Sequence, residues 1–281
     1  MSLNIHTDLP FDERTLIMGI VNVTPDSFSD GGKFINPADA IDHAIHLVED
    51  GADILDIGAE STRPGAADVS VEEEIDRLLP VVNALVKSVD VPISVDTTKS
   101  VIAQQMLDAG AHIINDISGL QFDPQLSKVV ADYGCPVVIM HIQGTPRTMQ
   151  KNPVYNDVIS DIISYFKKRV EFARSAGIQD QQIILDPGIG FGKTIEHNFR
   201  ILSEFREFTS LGYPLVLGAS RKSFIGKTLD VPVDDRLEGS LAAAVVGAWN
   251  GANIIRVHDV KETKRALRIT DAIDRQRGDV S

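Results

Sequence analysis

Eight apolar runs of strand length alternate with amphipathic helical stretches about every 30 residues, the spacing of a repeated strand–crossover unit. That alternation predicts an α/β fold: a (β/α)8 TIM barrel, with a parallel eight-stranded closed sheet and outer helices. Two further observations favour closure. Eight such units in one chain match a closed barrel of typical size. The first run leads into Val23-Thr24-Pro25-Asp26 rather than a Gly-x-Gly turn, which counts against the runner-up, a doubly wound open sheet with a dinucleotide fingerprint. No linker or low-complexity tract interrupts residues 1–281, so the chain reads as a single domain.

The strand candidates, in order, are Leu16–Val23, Ile54–Gly58, Ile93–Val95, Ile113–Ile117, Val137–His141, Ile183–Leu185, Leu215–Gly218 and Ile254–Val257. Each is short and mainly apolar, as suits a strand buried on both faces. The first helix is bounded by its own chemistry. Asn36-Pro37 supplies a cap and a proline at the first helical position. Ile41, Ala44, Ile45 and Val48 then form one apolar face, and Gly51 ends the helix. The same glycine ending recurs at Gly110, Gly177 and Gly251. Gly144–Pro153 forms a longer polar loop after the fifth run. The helix after it, roughly Tyr155–Ser175, is expected to be the longest.

Composition narrows the function. A net charge of −13 argues against nucleic acid or anionic membrane as main partners, because both need clustered Lys and Arg. It leaves room for an anionic small substrate, since a few local cations reverse the field in a pocket. The lone cysteine, Cys135, excludes an intramolecular disulfide and a multi-cysteine metal site, and its place before an apolar run predicts a buried, inert thiol. Met1–Leu9 lacks the basic and apolar regions of a secretory signal, and no run approaches membrane-spanning length. A cytoplasmic enzyme is the expectation.

The ends of the runs give, in order, Asn22; Glu60-Ser61-Thr62-Arg63; Asp96; Asn115-Asp116; His141; Asp186; Ser220-Arg221-Lys222; and Arg256-Val257-His258. Any one could be a cap, and Asp96 could cap a helix beginning near Thr98. Eight ends of the same character point to a functional face. Asp96, Asn115 and Asp186 suit the N–H-rich edge of a guanidine-like heterocycle, because a carboxylate accepts two parallel donors. Lys222 is expected to stay charged beside carboxylates, which makes it a fixed donor rather than a Schiff-base lysine. Asn22, Arg256 and His258 lie on the first and last strands, neighbours in a closed barrel. They form an anion site: Arg256 offers a planar fork to phosphate oxygens, His258 a second donor, and Asn22 a ligand for Mg²⁺.

Two long stretches carry a resemblance. Ile17-Met-Gly-Ile-Val-Asn-Val-Thr-Pro-Asp-Ser-Phe-Ser-Asp-Gly-Gly32 resembles the first signature of the dihydropteroate synthases, and Asp53-Ile-Leu-Asp-Ile-Gly-Ala-Glu-Ser-Thr-Arg-Pro-Gly65 resembles their second. The likeness runs over essentially the whole chain. It implies condensation of 6-hydroxymethyl-7,8-dihydropterin pyrophosphate with p-aminobenzoate, with Mg²⁺ as cofactor, in folate biosynthesis, by a homodimer of the family that sulfonamides target. It implies a pterin site of Asp96, Asn115, Met140, Asp186 and Lys222, and a pyrophosphate site of Asn22, Thr62, Arg256 and His258. The p-aminobenzoate site would comprise Phe28, Thr62, Arg63, Pro64, Phe191, Ser220 and Ser223, with Phe28, Pro64 and Phe191 flanking the ring and Ser223 meeting the carboxylate. Asn22, Asp96, Asp186, Lys222, Arg256 and His258 would carry the chemistry. A methyltetrahydrofolate-dependent methyltransferase and a non-catalytic pterin-binding barrel are the alternatives that share the pterin contacts.

Other signals lead elsewhere. Gly192-Lys193-Thr194 and Gly226-Lys227-Thr228 suggest a phosphate loop, but Pro187 and Arg221 stand where its first glycine is needed. His43 and His46 have helical spacing but fall away from the polar face. Glu72-Glu73-Glu74 opens a helix, where acids complement the dipole. Lys167-Lys168-Arg169 reads as a solvated face. Met140 packs equally well on a heterocycle or in the core.

Overall fold

The structure, a computed structural model, describes residues 9–11, 13–24, 36–61 and 69–278. The eight expected strands are present: β1 (Leu16–Asn22), β2 (Ile54–Gly58), β3 (Ile93–Asp96), β4 (Ile113–Asp116), β5 (Val137–Met140), β6 (Ile183–Asp186), β7 (Val216–Leu217) and β8 (Ile254–Val257). Every pairing is parallel, in the order β6-β5-β4-β3-β2-β1-β8-β7. A bridge between Leu185 and Leu215, reinforced by Leu185 N donating to Pro214 O at 2.9 Å, joins β6 to β7 and closes the ring. The open-sheet alternative is thereby overturned.

The helices are α1 (Pro37–Asp50), α2 (Val71–Leu85), α3 (Ser100–Asp108), α4 (Leu126–Tyr133), α5 (Val158–Ser175), α6 (Ile195–Ser203), α7 (Ser223–Leu229), α8 (Leu237–Trp249) and α9 (Val260–Gly278). α1 begins and ends as its sequence dictates. The Asn36 side chain accepts from Ala38 N, Pro37 follows, and Gly51 adopts a left-handed conformation at φ 105°. Gly110, Gly177 and Gly251 share that conformation. α5 starts at Val158 rather than Tyr155, because Asp157 caps Ser160 N. Among the described residues the longest helix is α9, 19 residues against 18 in α5, so the expected ranking is corrected. Cys135 is buried, and burial pushes its thiol up to about 12, which leaves it inert.

The core has two parts with different tasks. Ile17, Val21, Leu55, Ile57, Val95 and Ile114 face outward from the strands and pack under the helices. Leu16, Met18, Ile54, Ile113, Val138, Ile184, Val216 and Ile254 fill the N-terminal half of the barrel interior, with Leu9 beneath them. The chain thus uses its inward apolar positions at one end only. The other end of the interior is left to polar residues, and that asymmetry positions the site.

Ile254 is 0% exposed in the inner cluster and Ile273 is 53% exposed on α9. Ile254→Ala should lower the unfolding free energy in urea by about 2–5 kcal/mol, through lost transfer energy and a residual cavity. Ile273→Ala should change it by less than about 0.5 kcal/mol.

Candidate active site

Strand register sets the site. Asn22 is level with Gly58, Gly58 with Asp96, and Asp96 with Asn115. Paired residues in parallel strands point the same way, so Asn22, Asp96 and Asn115 share the interior face. Gly58 leaves room in that row, since a Cβ there would stand 3.3 Å from Asp96 Cβ. Met140 and Asp186 pair across β5 and β6 and face the same interior. The sequence-predicted residues Asn22, Asp96, Asn115, Met140, Asp186 and Arg256 therefore converge at the C-terminal end of one cylinder.

Arg256 ties this layer together. Its Nε donates to Asp56 Oδ2 at 2.6 Å and its Nη2 to Asp96 Oδ2 at 3.0 Å. Asn115 Nδ2 donates to the same Asp56 Oδ2 at 2.9 Å. Asp56 is wholly buried and was not singled out by position, because it lies mid-strand, two residues before Gly58. Arg256 is thus engaged on the heterocycle side of the site, two of its three nitrogens already committed to carboxylates. The expectation of an open fork beside Asn22 and His258 is modified accordingly. His258 stands with Ser220, its Nδ1 3.0 Å from Ser220 Oγ, which also accepts from His258 N.

Burial dominates the electrostatics. It pushes Asp96 up to about 7, against the opposing Arg256 charge and with the Asp56, Glu74 and Asp116 charges adding to it. Asp186 is raised by the same cause, with Lys222 opposing. Burial would lower Arg256, but Asp56 and Asp96 outweigh it and hold the guanidinium above its ordinary value. Lys222 stays charged near neutral pH, as the sequence suggests, but its shift runs the other way. Burial lowers it to about 8 although Asp186 pulls the other way, so desolvation wins over the neighbouring carboxylate. Its Nζ donates to Ile189 O and lies 4.6 Å from the Phe191 ring centroid. It remains a donor near neutral pH.

Two bends aim these groups. The β6 loop places Gly188, Gly190 and Gly192 at positive φ, and a Cβ on Gly188 would stand 2.0 Å from His141 O. Gly188 N donates to Asp186 Oδ1 at 2.7 Å, which fixes that carboxylate. After β7, Arg221 holds a left-handed φ of 55°. Ser240 Oγ accepts from its N, Arg236 donates to its O, and its guanidinium pairs with Asp259, so the bend that presents Lys222 is held from three sides.

Several strand-end residues prove structural. Asp116 is out of phase with Asn115 and caps its own turn, accepting from Ser118 N and Leu120 N. It pairs with Ile139 of the outer core. His141 follows Met140 and faces away, with its ring edge-on to Tyr165 at 4.7 Å. Asp96 does not cap α3; Asp123 accepts from Ser100 N instead. Arg169 is not a solvated charge, since it donates to Gly119 O and Leu120 O. His43 is half-buried and His46 exposed on α1, away from the site. Lys193, met in the discarded phosphate-loop motif, is buried with its Nζ 2.9 Å from His141 Nδ1, and burial holds it well below its ordinary value. Glu74 leaves the acidic run to bind Lys99 at 2.6 Å, which also meets Glu60 at 2.8 Å.

Met140 joins Ile117, Ile142 and Met149 in a small apolar cluster against which Phe191 packs. Beside it, a cavity of about 440 Å³ opens at the rim, lined by Asp96, Lys99, Ile117, Phe122 and Pro146 among others, a size that suits a small ligand. Ser223 is exposed at the head of the seven-residue α7. Phe28, Thr62, Arg63 and Pro64 lie outside the described residues.

The pterin binding enzyme family matches residues 18–258, most of the chain. The Escherichia coli K12 dihydropteroate synthase is 50% identical over 256 residues, covering 91% of this chain and 90% of that one. The chain belongs to the dihydropteroate synthase family. The Yersinia pestis dihydropteroate synthase, solved with a sulfonamide drug, superposes with a TM-score of 0.91 at 48% identity, covering 95% of this chain and 96% of that one. The Xanthomonas albilineans dihydropteroate synthase in complex with 7,8-dihydropteroate gives a TM-score of 0.86 at 40% identity and 95% coverage of each. Membership of this family matches the rim, a barrel end that offers carboxylates and an amide to a nitrogen-rich ring.

Asp96 binds its proton more tightly folded than unfolded. Its contribution to stability is full below its ordinary 3.8 and is lost as pH rises to about 7. The stability difference between the native chain and Asp96→Asn, measured by urea unfolding, should therefore shift against the native chain between pH 4 and pH 7. A pH-independent difference would contradict the raised value.

Proposed function

We propose that this chain condenses 6-hydroxymethyl-7,8-dihydropterin pyrophosphate with p-aminobenzoate, forming 7,8-dihydropteroate and releasing pyrophosphate. One observation carries the reading. Asp96, Asn115, Asp186 and Lys222 are presented together at the C-terminal end of the barrel, with Arg256 bonded to Asp96 directly and joined to Asn115 through Asp56. The 7,8-dihydropteroate bound to the Xanthomonas albilineans relative is the product of this reaction, which supports it.

The pterin would sit against these groups with its amino-pyrimidine edge toward the carboxylates and its ring carbonyl toward Lys222. Met140 and Phe191 supply apolar contact, and Gly218 keeps the space around Lys222 and Arg256 clear. In the reaction, the bond from the exocyclic carbon to the diphosphate oxygen breaks and a bond from that carbon to the arylamine nitrogen forms. The amine then loses a proton to solvent. No strong base is required, because an arylamine is already unprotonated at neutral pH. Arg256 and the pair of His258 and Ser220 stand on β8 and after β7, where cationic and N–H donors would stabilise charge building on the departing diphosphate. Thr62 would add a further contact, and Phe28, Thr62, Arg63, Pro64, Phe191, Ser220 and Ser223 would form the p-aminobenzoate site. That site would also receive sulfonamides, a reading supported by the Yersinia pestis relative, solved as a complex with a sulfonamide drug.

Mg²⁺ fits this arrangement in a limited way. Among the described residues, no group of three or more His, Cys, Asp or Glu could hold a metal ion. Mg²⁺ needs no such cage, since it keeps most of its waters and leans on substrate phosphates, and the Asn22 amide oxygen at the end of β1 is an acceptable single ligand. When bound it would neutralise diphosphate charge. A cytoplasmic homodimer completes the proposal. It is supported by the strongly acidic chain, by the lack of a membrane-length apolar helix among the described residues, and by exposed Phe199, Leu229 and Val246 on the consecutive helices α6–α8.

Mixing the protein with both substrates and Mg²⁺ should yield dihydropteroate; binding without turnover would favour a non-catalytic barrel, and methyl transfer to a corrinoid the methyltransferase. Lys222→Ala should weaken pterin binding and lower kcat/KM by about tenfold or more, the loss of a charge-assisted hydrogen bond. Because the charge-assisted bond needs the Lys222 ammonium, kcat/KM should fall as pH rises through about 8. Wild-type kinetics in Lys222→Ala would remove the lysine from the site.

A further inference from the structure

Asp56 stands in the barrel interior one layer below the ligand-facing row, level with Ile20 on β1 and Ser94 on β3. It is 0% exposed. Among the described residues its Oδ1 has no hydrogen-bond partner, so the bonds found for this carboxylate run through Oδ2. That single oxygen accepts from Arg256 Nε at 2.6 Å and from Asn115 Nδ2 at 2.9 Å. A carboxylate paired with a guanidinium can only accept hydrogen bonds. It therefore dictates which end of the Asn115 amide it meets: the NH2 must turn inward to Asp56, and the carbonyl oxygen must turn away from it. The same oxygen fixes the Arg256 guanidinium at Nε, while Asp96 holds it at Nη2.

We infer that Asp56 is a positioning residue for pterin recognition, which turns the Asn115 carbonyl oxygen toward the ligand and sets the plane of the Arg256 guanidinium. The consequence is one of polarity. With Asn115 locked in this sense, Asp96, Asn115 and Asp186 all present acceptors, and the site selects a ring edge that carries successive N–H donors. Were the amide reversed, a donor would replace one acceptor, and a buried N–H facing a ligand N–H leaves both unpaired. Asp56 acts without touching the ligand, through the two residues that do. The inference rests on reading this rim as the pterin site.

The test is isosteric. Asp56→Leu keeps shape and volume and removes the acceptor that dictates the amide's orientation. In calorimetric titration with 6-hydroxymethyl-7,8-dihydropterin it should weaken binding about tenfold or more, the scale of one misdirected buried hydrogen bond. The KM for the pterin substrate should rise in parallel, and the KM for p-aminobenzoate should not change. Asp56→Asn is the conservative control: its amide oxygen can take the place of Oδ2 and accept from both Arg256 Nε and Asn115 Nδ2, with its NH2 at the Oδ1 position that has no partner among the described residues. It should keep affinity to within about threefold of the native chain. A residue that served packing alone would leave Asp56→Leu unaffected. Native affinity in Asp56→Leu, or a folded Asp56→Asn as weak as Asp56→Leu, would overturn the inference. If Asp56→Leu does not fold, Asp56→Asn and a neutron structure of the native protein with the pterin decide it. Deuterium on Asn115 facing Asp56 is expected, and deuterium facing the ligand refutes the assignment. Failure of the native protein itself to bind the pterin would count against the pterin reading, not against the role of Asp56 within it.

Discussion

A guanidinium inside a β-barrel has to be neutralised where it stands, because water reaches it poorly and an unpaired buried charge costs several kcal/mol. Arg256 meets that requirement by binding Asp56 and Asp96 on β2 and β3, across the cylinder wall from β8. The pairing does more than compensate charge. It fixes the spacing of two strands' side chains relative to a third, and through Asp56 it reaches Asn115 on β4. Four strands thus share one hydrogen-bonded layer, resting on the apolar filling of the N-terminal half of the barrel. A buried ion cluster is a weak device for stability. Here its benefit is a set of acceptors held in place before the ligand arrives, so little reorganisation is needed when it does.

Lys222 and Asp186 complete the layer by a different route. Neither depends on strand geometry alone. Asp186 is fixed by Gly188 N at a turn that only glycine tolerates, and Lys222 by a left-handed Arg221 braced by Ser240, Arg236 and Asp259. Backbone strain of this kind typically costs about 1–3 kcal/mol and persists only where the surroundings over-determine it. The result is a lysine whose charge is held under tension, lowered by burial and supported by Asp186.

The barrel was legible because its signals are local and redundant. The glycine endings at 51, 110, 177 and 251 and the cap at Asn36 each mark a boundary without reference to the rest of the chain. The strand-end residues Asn22, Asp96, Asn115, Asp186 and Arg256 were legible for a similar reason, since a polar side chain closing an apolar run has little packing value. Phase was not legible. A four-residue strand buried on both faces does not reveal which alternate positions point inward, so Asp116 and His141 were grouped with a face they do not join. Register settles this, and register is tertiary. Asp56 escaped for the converse reason, being an interior polar residue with apolar neighbours on both sides. The position of Lys222 and its charge near neutral pH were read correctly, but not the direction of its shift, because burial is a property of the fold and outweighs a neighbour that the sequence can name.

The most direct test of this account is a double-mutant cycle between Asp56→Leu and Arg256→Gln, followed by urea unfolding and by pterin titration of each folded variant. If one buried bond organises the layer, the two substitutions should be strongly non-additive, with a coupling of about 1.5 kcal/mol or more in either quantity. Additive effects in both would mean that Arg256 and Asp56 act independently, and the proposed dependence of the site on their pairing would not stand.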